Sequence, residues 1–372
     1  MNRKLVGFIL ITIILALACS FALAESPLHK ASLVFEDNPS IILPQADGSL
    51  YYVTCSLPTA EQKSNELNQL RYINAAGETI WACDLPAFSM PWSQLYINDA
   101  GQVELLAWLQ NESLTMMTVS RNGVLVSALD VKLDLRPVMK AGPLFLGTRQ
   151  QEELALMRIL PDGGVEPFEI PGHPDQAVPW WSMPKKEGAF LLTRSRFREY
   201  EGFNSEADYV ISWVDHEGRF ITSARVDKCR NFSGPAGDAL LTSKGGIAVL
   251  ERKDVPNEAG LLIFDAAGNL LQQASYTLHG HAMRLQLIDP APEGGYLLYG
   301  NGFLDELSQQ AFTVRLNVDE KGQLLGVQAK QGHGKLVRYI DNQPYVFFSM
   351  AQPSHLTAFE VLEDVKITVT QK

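Results

Sequence analysis

Cysteine is scarce in this chain and falls into no ligand pattern: there are four, Cys19, Cys55, Cys83 and Cys229, among 372 residues. No Cys-x-x-Cys and no His-x3-His spacing occurs among them or the seven histidines, so the sequence gives no sign of a structural zinc site or a dithiol redox centre. The Gly-x-Ser-x-Gly elbow, the phosphate-binding glycine loop and the dinucleotide fingerprint are also missing, which removes the support for nucleophilic hydrolysis and nucleotide chemistry. Positive charge is short as well, with 31 Lys and Arg against 42 Asp and Glu and a formal net charge of -11. Nucleic acid and anionic membrane both need a cationic footprint, so neither is an expected partner.

The first residues carry an export signal. Asn2-Arg3-Lys4 supplies the positive start, Leu5 to Leu17 the apolar core and Ala22-Leu23-Ala24 a small-residue cleavage site. The apolar run is at the short end for spanning a bilayer, so residues 1–24 read as a signal peptide and 25–372 as one secreted or extracytoplasmic domain. Cys19 offers a lipid anchor as the alternative, although Ala16-Leu17-Ala18 fits a lipobox poorly and a better peptidase site follows. Cleavage after Ala24 removes Arg3 and Lys4 and no acid, taking the formal charge from -11 to -13.

What the sequence has in quantity is one turn, repeated: Asn74-Ala-Ala-Gly77, Arg121-Asn122-Gly123, Pro161-Asp162-Gly163, Asp215-His-Glu-Gly218, Asp265-Ala-Ala-Gly268 and Asp319-Glu-Lys-Gly322. Successive glycines stand 46, 40, 55, 50 and 54 residues apart, the length of a four-stranded propeller blade. Asp or Asn folds back on its own backbone and Gly takes the positive φ of a tight hairpin, so the motif needs no functional explanation. A second glycine marker opens an apolar strand upstream, at Gly48, Gly101, Gly142, Gly188, Gly246 and Gly295. Innermost strands are placed before it, at Ser40 to Leu43, Gln94 to Ile97 and Ala282 to Ile288.

A degenerate final unit, with strands at Leu336 to Ile340, Tyr345 to Ser349, Leu356 to Leu362 and Val365 to Thr370, brings the count to seven. The predicted fold is therefore all-β, a seven-bladed propeller of four-stranded antiparallel blades. Lys30 to Phe35 is a spare strand able to pair with the last blade and close the ring. Cys55 and Cys83 fall on the second and fourth strands of one blade, about 10 Å apart, which predicts no disulfide between them.

The units resemble those of secreted bacterial propellers that carry a Gly-Gly-Tyr strand followed by a strand ending in Asp-x-x-Gly-Asn; the matches are Gly294-Gly295-Tyr296 and Asp265-Ala-Ala-Gly268-Asn269. Asn74-Ala-Ala-Gly77-Glu-Thr-Ile-Trp81 looks like one quinoprotein-type repeat with its closing Trp. The resemblance implies architecture and no named activity.

Second-to-third and blade-to-blade connections open on one face, the repeated hairpins on the other. The former are unequal, with insertions at Arg198 to Asp208, Lys253 to Ala259 and Gly302 to Gln310, rich in acids. Trp92 follows Pro91, Trp180 and Trp181 follow Pro179, and Phe232 follows Arg230, each placed in a blade-to-blade connection at the entry to an innermost strand. Aromatics beside Arg194 and Arg196 suit recognition of sugar or peptide, and equally suit wedging of adjacent blades. His173, His279, His281 and His333 share these junctions, and turn-associated exposed histidines are the plain alternative to ligands.

The expected function is ligand binding by the loop-bearing face, through Trp92, Trp180, Trp181, Arg196, His281 and His333, the ligand being a carbohydrate or a protein. No cofactor, no metal and a monomeric state are expected. The alternatives are a propeller carbohydrate-active enzyme, hydrolase or lyase, using paired acids of the loops, and a non-catalytic cell-surface assembly module.

Overall fold

The computed structural model describes residues 33–35, 39–45, 47–54, 68–86, 88–98, 100–109, 114–131, 135–141, 144–149, 154–160, 162–167, 178–185, 188–194, 206–215, 219–230, 234–303, 311–332, 335–337, 345–348 and 355–372. The signal segment 1–24, Cys19, Cys55, His173, Arg196, Phe232 and His333 lie outside them.

The repeated turn is built by local hydrogen bonds. The Asn74 side-chain oxygen accepts from the N–H of Ala76 (3.0 Å) and Glu78 (2.9 Å), while Gly77 N–H donates to the Asn74 carbonyl at 2.9 Å. Gly77 sits at φ +83°, the left-handed region that glycine enters without a Cβ penalty. Asp265 accepts in the same way from Ala267 and Asn269, and Asp319 from Lys321 and Gln323. A related turn joins first to second strands, as where Gly101 N–H meets the Asn98 carbonyl and Gln102 N–H the Asn98 side chain.

Among the described residues the strands form seven antiparallel sheets. Sheet one holds Pro39–Pro44, Leu50–Thr54, Asn68–Ile73 and Thr79–Leu85. Sheet two holds Phe88–Ile97, Val103–Leu109, Leu114–Val119 and Leu125–Asp130. Sheet three holds Leu135–Ala141, Leu144–Arg149, Leu154–Ile159 and Val165–Pro167. Sheet four holds Val178–Lys185, Gly188–Arg194, Glu206–Asp215 and Phe220–Arg230. Sheet five begins with Gly234–Leu241, Ile247–Arg252, Glu258–Phe264 and Leu270–Leu278. Sheet six holds Ala282–Pro290, Tyr296–Phe303, Ala311–Val318 and Leu324–Gln331. Sheet seven holds Lys335–Val337, Tyr345–Phe348 and His355–Ala358, completed by Leu33–Val34 from the other end of the chain.

This is a β-propeller with antiparallel four-stranded blades. First strands touch between sheets one and two, two and three, three and four, and five and six, which places them innermost. Apolar clusters then join one sheet to the next, with Val53, Leu70 and Cys83 meeting Leu105 and Met117 between sheets one and two. Phe35, Leu50 and Tyr52 meet Tyr345 and Phe347 between sheets one and seven. Many small inter-sheet cores replace one large core, so the fold grows past the usual single-core size.

The expectation of seven uniform blades is corrected: five sheets consist of four consecutive strands, and two depart from that rule. Sheet seven has three strands of its own and takes Leu33–Val34 as its outermost, within the predicted Lys30 to Phe35 segment. Val365 to Thr370 is not its fourth strand. After Ala358 the chain makes a short 3-10 turn, Phe359–Val361, and leaves along the outer edges of sheets six and five. Val365 N–H donates to the Ala329 carbonyl (2.9 Å), and Val369–Gln371 pairs with Tyr276–Leu278 as a fifth strand of sheet five. The reason is burial: Val365, Ile367 and Val369 alternate, and their side chains pack on the apolar cluster shared by sheets five and six.

Candidate functional site

Second-to-third and blade-to-blade connections share one end of the sheets, as expected, because Val178 pairs with Arg194, Arg194 with Tyr209 and Glu206 with Arg230 in sheet four. Trp92, Trp180 and Trp181 are not in connections, however. Trp92 lies within Phe88–Ile97, and Trp180 and Trp181 within Val178–Lys185, so all three belong to innermost strands. Pro91 and Pro179 lack the N–H that a ladder needs, so the residues around them do not read as strand from sequence.

A bulge admits proline into these strands. Register shifts fall between Pro39 and Ile41, Ser89 and Gln94, Pro137 and Met139, Pro179 and Trp181, and Pro235 and Ala239. Sheet six shifts likewise between Leu285 and Leu287, without a proline. Proline lacks the N–H that a ladder needs and is tolerated at bulges and edges, and an innermost strand is an edge. Trp180 is the extra residue in sheet four, and Trp92 lies inside the wider bulge of sheet two. The two aromatics thus occupy equivalent places on separate sheets, at the end where the unequal connections open. Trp181 pairs with Leu192 in the regular ladder. A proline in the first strand of five units was the available sequence signal.

Other predicted residues have structural partners. His281 donates from Nδ1–H to the His279 carbonyl (3.0 Å) and stands edge-on to Phe312, with ring centroids 5.2 Å apart. His279 is tied to the C-terminal segment, its N–H donating to the Thr368 carbonyl and its Nε2 lying 3.0 Å from Thr370 Oγ1. The Arg194 guanidinium hydrogen-bonds the Tyr209 hydroxyl, and burial pushes its pKa down. Asp208 accepts from Lys228 N–H (2.9 Å) and Arg225 (3.1 Å), and this grip holds Lys228 at φ +55° in a second irregularity of the outer strand. The loop at Lys253 to Ala259 is fastened: Leu278 N–H donates to the Asn257 carbonyl and Met283 N–H to that of Pro256, each at 2.9 Å. The acidic residues Glu251 and Glu258 pair with Lys253 (2.6 Å) and Lys372.

The cysteines behave as small hydrophobes. Cys83 is buried on the outermost strand of sheet one, and Leu70 of the third strand lies between it and Val53 of the second, the strand order expected from sequence. Both Cys83 and Cys229 are free thiols. Burial pushes the Cys229 thiol up to about 12, with the Glu251 and Asp208 carboxylates adding to the shift, so it is held neutral and unreactive.

At the opposite, hairpin end a cavity of about 890 Å³ opens beside sheets five and six. Leu271, Leu297 and Leu325 line it together with Glu293, and the Lys244–Glu320 ion pair (2.7 Å) crosses from one sheet to the other. Its charged groups are largely spent on each other and on the turn.

No family model and no curated protein matches the chain. Among solved structures it is similar to the crystal structure of BamB from Moraxella catarrhalis, with a TM-score of 0.40 and 11% identity over 88% of this chain and 98% of that one. Among the described residues no helix is long and apolar enough to cross a membrane.

Proposed function

We propose that this chain is an exported, non-catalytic binding protein whose propeller ring has seven blades and recognises a partner protein on the face where the unequal connections open. The observation that carries the reading is the pair of innermost-strand bulges holding Trp92 and Trp180 at equivalent positions on sheets two and four. Bulges re-aim side chains and concentrate at functional rims, and Trp is the residue most enriched among binding hot spots. Seven sheets, each joined to a neighbour by apolar packing, support the blade count. The binding reading is favoured over catalysis because four acids of this face, Glu206, Asp208, Glu251 and Glu258, are held by Arg230, Arg225, Lys253 and Lys372.

Affinity capture with the mature protein, read by quantitative mass spectrometry, tests this. A partner should be recovered with wild type and reduced about tenfold or more with a folded Trp92→Ala/Trp180→Ala variant, the loss of one strong anchor. Equal recovery by both forms would assign the two indoles to packing. Recovery of glycan instead of protein would move the reading to carbohydrate.

A further inference from the structure

The chain is acidic, with a formal net charge of -11, but its charge is not spread evenly over the ring. The seven innermost strands carry five cations, Arg136, Lys140, Lys185, Arg284 and Lys335, against two acids, Asp238 and Asp289. The outermost strands carry four of each sign. Both innermost acids are buried, at 0% and 2% exposure. The Asp238 carboxylate is taken up by backbone, accepting from the N–H of Ala239 (2.8 Å) and from that of Ile288 on sheet six (3.0 Å). The strands that wall the axis thus bring an excess of positive charge into a molecule that is negative overall.

Innermost strands begin at the loop-bearing face, and three of the five cations fall near that start. Arg136 is second in Leu135–Ala141, Arg284 is third in Ala282–Pro290, and Lys335 opens Lys335–Val337. Arg284 is exposed, and among the described residues no carboxylate pairs with it. It stands two residues before Gln286, the extra residue of the sheet-six bulge. Gly237 of sheet five comes close here, since a Cβ on it would lie 3.1 Å from the Leu285 carbonyl. Gly237 is exposed and sits at φ +88°, so sheet five offers bare backbone, not a carboxylate, beside the strand that carries Arg284. Trp92, Trp180 and Gln286 occupy the corresponding bulges of sheets two, four and six. Aromatic and cationic positions are thereby brought to one end of the axis.

We propose that this end of the axis is an anion-binding mouth, and that the partner protein engages it with an acidic segment whose carboxylates meet Arg284, Arg136 and Lys335 while its apolar residues meet Trp92 and Trp180. The inference rests on the loop-face reading above and names the chemistry of the partner. Cations gathered at an opening with apolar walls focus their field, so carboxylates are drawn to it although the whole molecule is negative. A guanidinium then holds a carboxylate through two parallel N–H bonds. A peptide is favoured over an acidic polysaccharide because innermost strands are edges, whose outward N–H and C=O groups match those of a peptide backbone.

The test uses the mature protein with two labelled hexapeptides, Glu-Phe-Glu-Phe-Glu-Gly and its charge-reversed counterpart Lys-Phe-Lys-Phe-Lys-Gly. Fluorescence anisotropy should show saturable binding of the acidic peptide, about tenfold or more tighter than the basic one and weakening as salt rises. Arg284→Gln should weaken acidic-peptide binding about tenfold, the loss of one charge-assisted contact, while Lys244→Gln at the hairpin end should leave it unchanged. The comparison of the two peptides needs no variant, so a folding defect cannot obscure the answer. Equal binding of both peptides, no binding of the acidic one at millimolar concentration, or full binding by a folded Arg284→Gln protein would each overturn the proposal. Binding of polygalacturonate that the acidic peptide does not displace would overturn it in favour of an acidic carbohydrate. Partner capture that depends on Trp92 and Trp180 while both peptides bind equally would leave the loop-face reading standing and overturn this inference alone.

Discussion

Single residues at the sheet boundaries hold neighbouring blades together. Trp81 donates its Nε1–H to the Arg121 carbonyl of the next sheet (2.9 Å) and lies against Tyr72 and Tyr51, and Tyr276 donates its hydroxyl to the Gly322 carbonyl (2.6 Å). Turn glycines are constrained twice. Gly268 sits at φ +82°, and a Cβ there would run into the Ser223 carbonyl of sheet four. Gly268→Ala is therefore expected to cost about 2 kcal/mol or more, read as a lower urea midpoint with an unchanged slope. Cys229 gives a pH prediction. Its folded pKa is raised to about 12, against about 8.5 in an unfolded chain, so its contribution to stability is full below pH ~8.5 and declines as pH rises toward 12. Unfolding midpoints should fall between pH 8 and pH 10.5, and iodoacetamide should label Cys229 at pH 8 only after denaturation. Rapid labelling of the native protein would show that the thiol is exposed.

Strands repeat a feature that no turn motif announces. In five sheets the residue three places after the turn glycine is the extra one of a β-bulge: Ile80, Val126, Ile221, Leu271 and Leu325. All five are large aliphatics and 52–62% exposed. Sheet three has no bulge there, since Ile159 pairs with Val165 and Arg158 with Glu166 in regular register. The bulge twists the outer strand away from pairing at its hairpin end, and leaves strand addition to the far end, where Val369–Gln371 binds. Because the side chains are exposed, Leu271→Thr and Leu325→Thr should each alter stability by less than about 0.5 kcal/mol. A larger loss in either variant would mean that the aliphatic is packed in solution.

At the scale of the molecule, two chain ends fasten the ring. Leu33–Val34 closes sheet seven, and residues 362–372 cross sheet six to reach sheet five, with Lys330–Asp364 (2.9 Å) and the Gln371 side chain bonding Leu324 N–H (2.7 Å) and the Gly322 carbonyl (3.1 Å) along the way. Removing residues 362–372 exposes the apolar flank of the core between sheets five and six. Truncation is expected to lower Tm by at least about 5 °C and to speed amide exchange selectively in Leu270–Leu278 and Leu324–Gln331. An unchanged Tm would show that the segment adds nothing to ring closure.

The sequence by itself determined the all-β class, the turn and the strand order within the six units that carry the turn glycine. Those depend on contiguous residues: Asn74, Asp265 and Asp319 bond backbone groups two and four residues on, and Gly77 supplies the one conformation the hairpin needs. It also placed the ring-closing segment near Leu33, since a spare strand beside a ring has few free edges to join. Only the tertiary structure decided where Val365 to Thr370 goes, because an alternating apolar run fits any uncharged edge and the burial offered by sheets five and six selects between them. It also moved Trp92 and Trp180 from junctions into innermost strands. Proline reads as a break in a sequence, but a strand whose outer groups face the ring's axis gives up no ladder bond by carrying one at a bulge.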